Sequence, residues 1–346
     1  MFKMNLPTLH LFKRLRVLAG LIVFVGTACR VDGQTLSDLI PVTDYGYLDQ
    51  YNLNEANNFV GDEACVPTSS TNALTYLQNV NPGVFGMSLT GTTYASWEAT
   101  DQNLINILGT TAGSNGGTYD YRIPYGIDQY VSSISPSYAS EIKLSGQFKD
   151  TGWTVEYPRP EDIKNKIPEP TFFYDALMKN SAVIMGISYS TSNGTNDNDG
   201  GHELLVNGIT WNATTETGTI YFIDPLNPSE DYTNLASDGL TYQPDGPAME
   251  TVGQISLLDD GSGAPGYLLL SYDQYEGDDL HAHDQSDPDF ETIFATIDSV
   301  LEIAVVPEPS QYGGFIFLAV AGALGWRRLP GRTFRATTQR SLRLVR

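Results

Sequence analysis

The stretch Gly200-Gly201-His202-Glu203-Leu204-Leu205-Val206-Asn207-Gly208-Ile209, followed by Thr219-Ile220-Tyr221-Phe222-Ile223-Asp224, decides the fold. Both runs are rich in β-branched, aliphatic and aromatic residues, and the connection Thr210 to Gly218 has the length that joins an antiparallel pair. His202 opens the first strand and Asp224 closes the second. Folding one strand back on the other therefore carries an imidazole and a carboxylate to the same end of a sheet.

Toward the amino terminus, Ala182-Val183-Ile184-Met185-Gly186-Ile187 is an unbroken apolar run, the pattern of a strand buried on both faces. A polar loop, Ser192 to Gly201, separates it from His202. Before it, Phe172, Phe173, Ala176 and Leu177 form a helical stripe, with Asp175 and Lys179 as a four-apart charge pair and Asn180 as the stop. A further helix is predicted from about Ser96 to Leu108. After the Gly-rich turn Ser114-Asn115-Gly116-Gly117-Thr118, a short helix is predicted over Tyr125 to Val131. Residues 225–305 read as short strands between acidic loops, among them Tyr267 to Tyr272 and Ile293 to Val306. No internal repeat of fixed period is present.

Cys65 begins the segment Cys65-Val66-Pro67-Thr68-Ser69-Ser70-Thr71-Asn72-Ala73-Leu74. Pro67 suits a first helical turn, and Ala73, Leu74 and Leu77 follow at helical spacing, so a helix is predicted to start at the sulfur. Unpaired N–H groups and the positive end of the helix dipole favour a thiolate there. With His202 to take and return a proton and Asp224 to orient the ring, the chain holds the three groups of a nucleophilic thiol mechanism: catalytic residues Cys65, His202 and Asp224.

The chain has 346 residues, 41% of them hydrophobic, enough for a packed core. Residues 1–33 read as an export signal. Lys3, Lys13, Arg14 and Arg16 precede the uncharged apolar stretch Val17 to Ala28, with cleavage after Ala28 or Gly33. Cys29 is either discarded with the signal or lipidated, and Cys65 has no partner for an internal disulfide. Residues 34–326 carry 7 basic and 40 acidic residues, a net charge of about −33, which excludes nucleic acid and an anionic membrane surface as partners. His281 and His283 among aspartates match no zinc spacing. Asn196-Asp197-Asn198-Asp199-Gly200 lacks the later Glu of a calcium loop, so neither a metal nor a cofactor is expected.

Three segments, Cys65-Val66-Pro67-Thr68-Ser69, Phe172 to Ile187, and Gly200 to Ile209 with Tyr221-Phe222-Ile223-Asp224-Pro225, together resemble papain-like cysteine peptidases of the bacteriocin-processing (double-glycine leader) type. The resemblance spans about residues 55–230. It implies an α+β fold, in which a helical part carrying the cysteine packs on an antiparallel sheet carrying histidine and aspartate. It also implies hydrolysis of a peptide substrate. On this reading residues 34–305 form the peptidase-like domain, with its core at about 55–230 and a β-rich extension over 231–305. The family has a small residue after the nucleophile, where this chain has Val66, and an oxyanion-hole glutamine about six residues before it, where this chain has Phe59. Asn57 or Asn58 is the replacement donor on this reading, with Asn58 and the backbone N–H of Cys65 holding the oxyanion. The departures leave a second reading open, an inactive scaffold serving as an acidic cell-surface or matrix component.

Val306-Pro307-Glu308-Pro309-Ser310 precedes the apolar segment Gly313 to Trp326, which Arg327 and Arg328 follow directly. This ending, residues 306–330 before a basic tail at 331–346, resembles the PEP-CTERM sorting signal of Gram-negative bacteria. The resemblance implies recognition of Pro307, Glu308 and Pro309 by an exosortase-type membrane enzyme, with Arg327 and Arg328 holding the end of a transmembrane helix in the cytoplasm. The implied destination is the cell surface or an extracellular polysaccharide matrix. Membrane contact is then limited to the signal peptide and this apolar segment.

Overall fold

The computed structural model describes residues 35–50, 64–110, 118–149, 152–155, 157–190, 192, 194, 196–226, 232–235, 242–244, 248–259, 265–275 and 290–306. Its strands are β1 (Thr35–Leu39), β2 (Ile142–Phe148), β3 (Ile163–Asn165), β4 (Ala182–Ser190), β5 (Asn196–Asn212), β6 (Thr217–Ile223), β7 (Tyr232–Leu235), β8 (Tyr242–Pro244), β9 (Thr251–Asp259), β10 (Pro265–Tyr275) and β11 (Phe290–Val305). The helices are α1 (Cys65–Val80), α2 (Pro82–Phe85), α3 (Tyr94–Leu108), α4 (Ile123–Ile134), α5 (Pro136–Glu141) and α6 (Pro170–Leu177).

Strands β4, β5, β6, β9, β10 and β11 pair in that order, each antiparallel to the next, and β11 returns to β4. The sheet is thus a closed six-stranded barrel. Three strands extend it: β1 on β5, β2 on β11, and β3 parallel to β2. The expected papain-like α+β arrangement is overturned by this closure. Half of the staves, β9, β10 and β11, come from the region that the sequence suggested was an extension. Closure rests on pairings such as Leu301 with Ile184 and Val300 with Met185. Such long-range registers leave no trace in local periodicity.

Alternation along the strands separates an inner from an outer face. Val206 pairs with Phe222, and the Phe222 ring meets Tyr272 edge to face at 5.2 Å although β9 runs between their strands. Side chains converge over an intervening strand only on the concave side. Gly253 makes that contact possible, because a Cβ there would stand 3.2 Å from the Phe222 ring. Leu204 and His202 share the inner face with Val206. Glu203 and Leu205 point outward, beneath the helices.

Local elements follow the sequence pattern more closely. The helix at Cys65, the helix ending at Leu108 and the strand from Ala182 all form. Two details differ. The polar loop before His202 is shorter than expected, since β5 starts at Asn196 and pairs there with Ser190. Lys179 does not pair with Asp175 along a helix. Helix α6 ends at Leu177, and Lys179 Nζ binds Glu302 Oε1 at 3.0 Å instead.

Candidate active site

Helix α1 places Cys65 at its first position, with no side chain capping that end. The expectation of an apolar stripe was too narrow, for every residue from Val66 to Gln78 is buried. Small polar side chains make this possible by finding partners. Thr68 and Thr71 each donate to the buried Asp101 of α3 at 3.3 Å, Ser69 donates to the Glu203 carbonyl at 2.8 Å, and Asn72 spans both backbone groups of Leu48 at 2.8 and 3.0 Å. These bonds fix the helix against β5 and so fix the half-buried thiol.

The β5–β6 ladder ends at the pair Leu205 and Ile223. Beyond it Asp224 turns out of the sheet, stabilised by the Leu226 N–H donating to its Oδ1 at 2.9 Å. The same Oδ1 accepts from His202 Nε2 at 2.7 Å. The Cys65 side chain also stands close enough to the imidazole to favour its charged form. Cysteine, imidazole and carboxylate thus form one line at the split in the ladder. The Pro225 carbonyl, next in the chain, accepts from the Gln50 backbone N–H at 2.9 Å and ties the segment before α1 to the site.

His202 is only 5% exposed. Burial alone disfavours a charged ring, yet the Asp224 carboxylate, Tyr189 and the hydrogen bonds from Asp224 and Cys65 together hold its pKa well above the usual imidazole range. The ring is therefore set up to rest as imidazolium, the state that stabilises a thiolate beside it.

Two tyrosines that sequence reasoning missed back this line. Tyr189 pairs in register with the small Ala295, which leaves room for its phenol to hydrogen-bond Tyr272 from the next strand but one. Burial raises both phenols, Tyr272 well above its ordinary value, so both keep their protons. A tyrosine at the end of an apolar run carries no signal of this role.

Glu203, adjacent to His202, was also missed. It lies on the outer face, hydrogen-bonded to Asp120, and burial followed by the charges of Asp120 and Cys65 raises its pKa well above the carboxylate range. Gly186 inside a buried strand was the available clue, because such a glycine marks a close approach. Of the other expected site residues, Asn57 and Asn58 lie outside the described residues. So do Pro307, Glu308, Pro309, Arg327 and Arg328, the expected transmembrane segment, and the His281 and His283 pair. Among the described residues no helix is long and apolar enough to cross a membrane, and no group of His, Cys, Asp and Glu side chains could hold a metal ion.

In comparisons with known proteins, no family model matches the chain and no curated protein matches it.

Proposed function

We propose that this protein is an exported cysteine hydrolase that cleaves peptide bonds. Cys65 attacks the carbonyl, His202 shares the thiol proton and returns it to the leaving amine, and Asp224 holds the ring in the productive tautomer. The observation that carries this reading is the single line from Cys65 through His202 to Asp224 Oδ1, at 2.7 Å for the second link. A structural histidine needs no thiol beside it, and a structural thiol has no need of an imidazolium. The carboxy-terminal Pro307-Glu308-Pro309 motif supports delivery to the cell surface through an exosortase-type enzyme.

The test is the pH profile of Cys65 alkylation by iodoacetamide in the full chain, with and without His202→Ala. An activated pair gives fast labelling at pH 6 that the substitution removes. Labelling that follows an ordinary free thiol and ignores His202 defeats the proposal. Turnover of a peptide library that is abolished by Cys65→Ala would then separate a working enzyme from an acidic surface component on the same fold.

A further inference from the structure

Three oxygens converge on the one place in β4 that carries no side chain. A Cβ built on Gly186 would stand 2.6 Å from Glu203 Oε1 and 2.7 Å from Asp120 Oδ2, with Ser299 Oγ nearer still. Glu203 and Asp120 lie side by side, and burial followed by the neighbouring Asp120 favours the protonated form of Glu203. Glu203 is 2% exposed, and its second oxygen, Oε2, is buried with no hydrogen-bond partner among the described residues. Leaving a buried acceptor unpaired is destabilising, a cost that a leucine in this position would avoid. Asp120 is only partly buried and follows Tyr119, whose ring is 62% exposed and stacks on Tyr121 at 5.5 Å. The helix that begins at Cys65 lies on this same face, since Ser69 binds the Glu203 carbonyl and the Cys65 side chain contributes to the Glu203 shift.

We propose that Glu203 and Asp120, with Ser299, form an acidic subsite beside Cys65 that takes a basic side chain of the substrate, a guanidinium or an ammonium group. The proposal rests on Cys65 being the nucleophile. A bound cation replaces the Glu203 proton and gives Glu203 Oε2 its missing partner. A guanidinium suits two converging carboxyls best, because its donors form a planar fork. Binding releases up to one proton, so the preference for a basic group strengthens as pH rises and Glu203 gives up its proton more readily. The other charges nearby do not fill the role: Arg122, two residues beyond Asp120, lies over the Tyr119, Tyr121 and Tyr157 rings and donates from Nη1 to the Leu108 carbonyl at 3.4 Å. Asp298 of β11 adds negative charge near Asp120, while Lys149 is drawn to Asp298 and sits 3.7 Å over the Tyr267 ring. The His202 imidazolium is engaged by Asp224 and Cys65.

The experiment uses the full chain and a set of short alanine-based peptidyl chloromethyl ketones. Each bears one arginine, or its neutral isostere citrulline, at a successive position, and alkylation of Cys65 is followed by mass spectrometry. The expected result is that arginine outpaces citrulline by about tenfold at one position, more at pH 7.5 than at pH 5.5. Glu203→Gln and Asp120→Asn should each bring that ratio toward one. A ratio near one at every position in the unaltered protein overturns the proposal without recourse to any variant, as does a preference that survives both substitutions. Iodoacetamide labelling of the same sample separates the two failures. Labelling that depends on His202 with no arginine preference sinks the subsite alone, whereas labelling indifferent to His202 sinks the nucleophile and the subsite with it.

Discussion

His202 and Glu203 are neighbours on one strand, yet they occupy opposite faces of the barrel and opposite electrostatic regimes. On the inner face, a buried base meets a carboxylate that hydrogen-bonds it and a thiol that adds to the same effect, and charge is held in place. On the outer face, a buried acid meets another acid, one of its oxygens has no partner among the described residues, and charge is suppressed. Burial disfavours the ionised form of both groups, so the difference comes from the neighbour. An opposite charge within hydrogen-bond reach outweighs desolvation, and a like charge adds to it. Two adjacent residues can therefore carry opposite protonation logic on a single strand.

Substitutions can break or sharpen this contrast. The largest effect is expected from His202→Ala, which should slow Cys65 alkylation at pH 6 by on the order of a hundredfold while leaving labelling above pH 9 nearly unchanged. Stopped-flow or quench labelling measures it. Gly186→Ala acts on the outer face alone. Its methyl group would meet the Glu203, Asp120 and Ser299 oxygens and should cost about 1–3 kcal/mol in urea denaturation. A fall in the His202-dependent labelling as large as the loss of stability would show that the two faces are coupled rather than separate.

Asp224→Asn should slow alkylation at pH 6 by about tenfold, roughly 1.4 kcal/mol, because the imidazolium loses its counter-charge. The same substitution has a signature in stability. The folded pKa of His202 is raised, so its contribution is fully present below the unfolded value near 6.5 and is lost as pH rises through the folded value. The dependence of unfolding free energy on pH over that window should flatten in the variant. The smallest effect is expected at Asp101, a buried acid whose pKa burial also raises well above normal, although Thr71 and Thr68 hydrogen-bond it. Burial favours its protonated form in the native state, so stability falls as pH rises above its unfolded value. Asp101→Asn should gain about 1 kcal/mol at pH 8 and nothing at pH 3, by chemical denaturation. Equal curves at both pH values would mean that the threonines suffice to hold the ionised form.

What could be read from the sequence was what depends on near neighbours. The apolar run from Ala182, the helix from Cys65 and the pairing of β5 with β6 are local patterns, and with them came Cys65, His202 and Asp224. Barrel closure could not be read, because nothing in β11 names β4 as its partner. Helix α1 shows a second limit. Thr68-Ser69-Ser70-Thr71-Asn72 has the composition of an exposed surface, but all five are buried: carbonyls or a carboxyl receive Thr68, Ser69, Thr71 and Asn72, while Ser70 Oγ has no hydrogen-bond partner among the described residues. The Glu203 and Asp120 pair was hidden for the same reason. Only the tertiary fold brings Asp120 to Gly186.

The strand that seals the circle, β11, is the last described element of the chain. Synthesis therefore delivers nucleophile, base and carboxylate well before the final stave that braces β4. A growing polypeptide holds all the reactive parts while lacking the enclosure that aligns them, and a product clipped ahead of Phe290 would be a thiol and an imidazole with no common wall. The alignment of Cys65, His202 and Asp224 is therefore completed only when the last strand is in place.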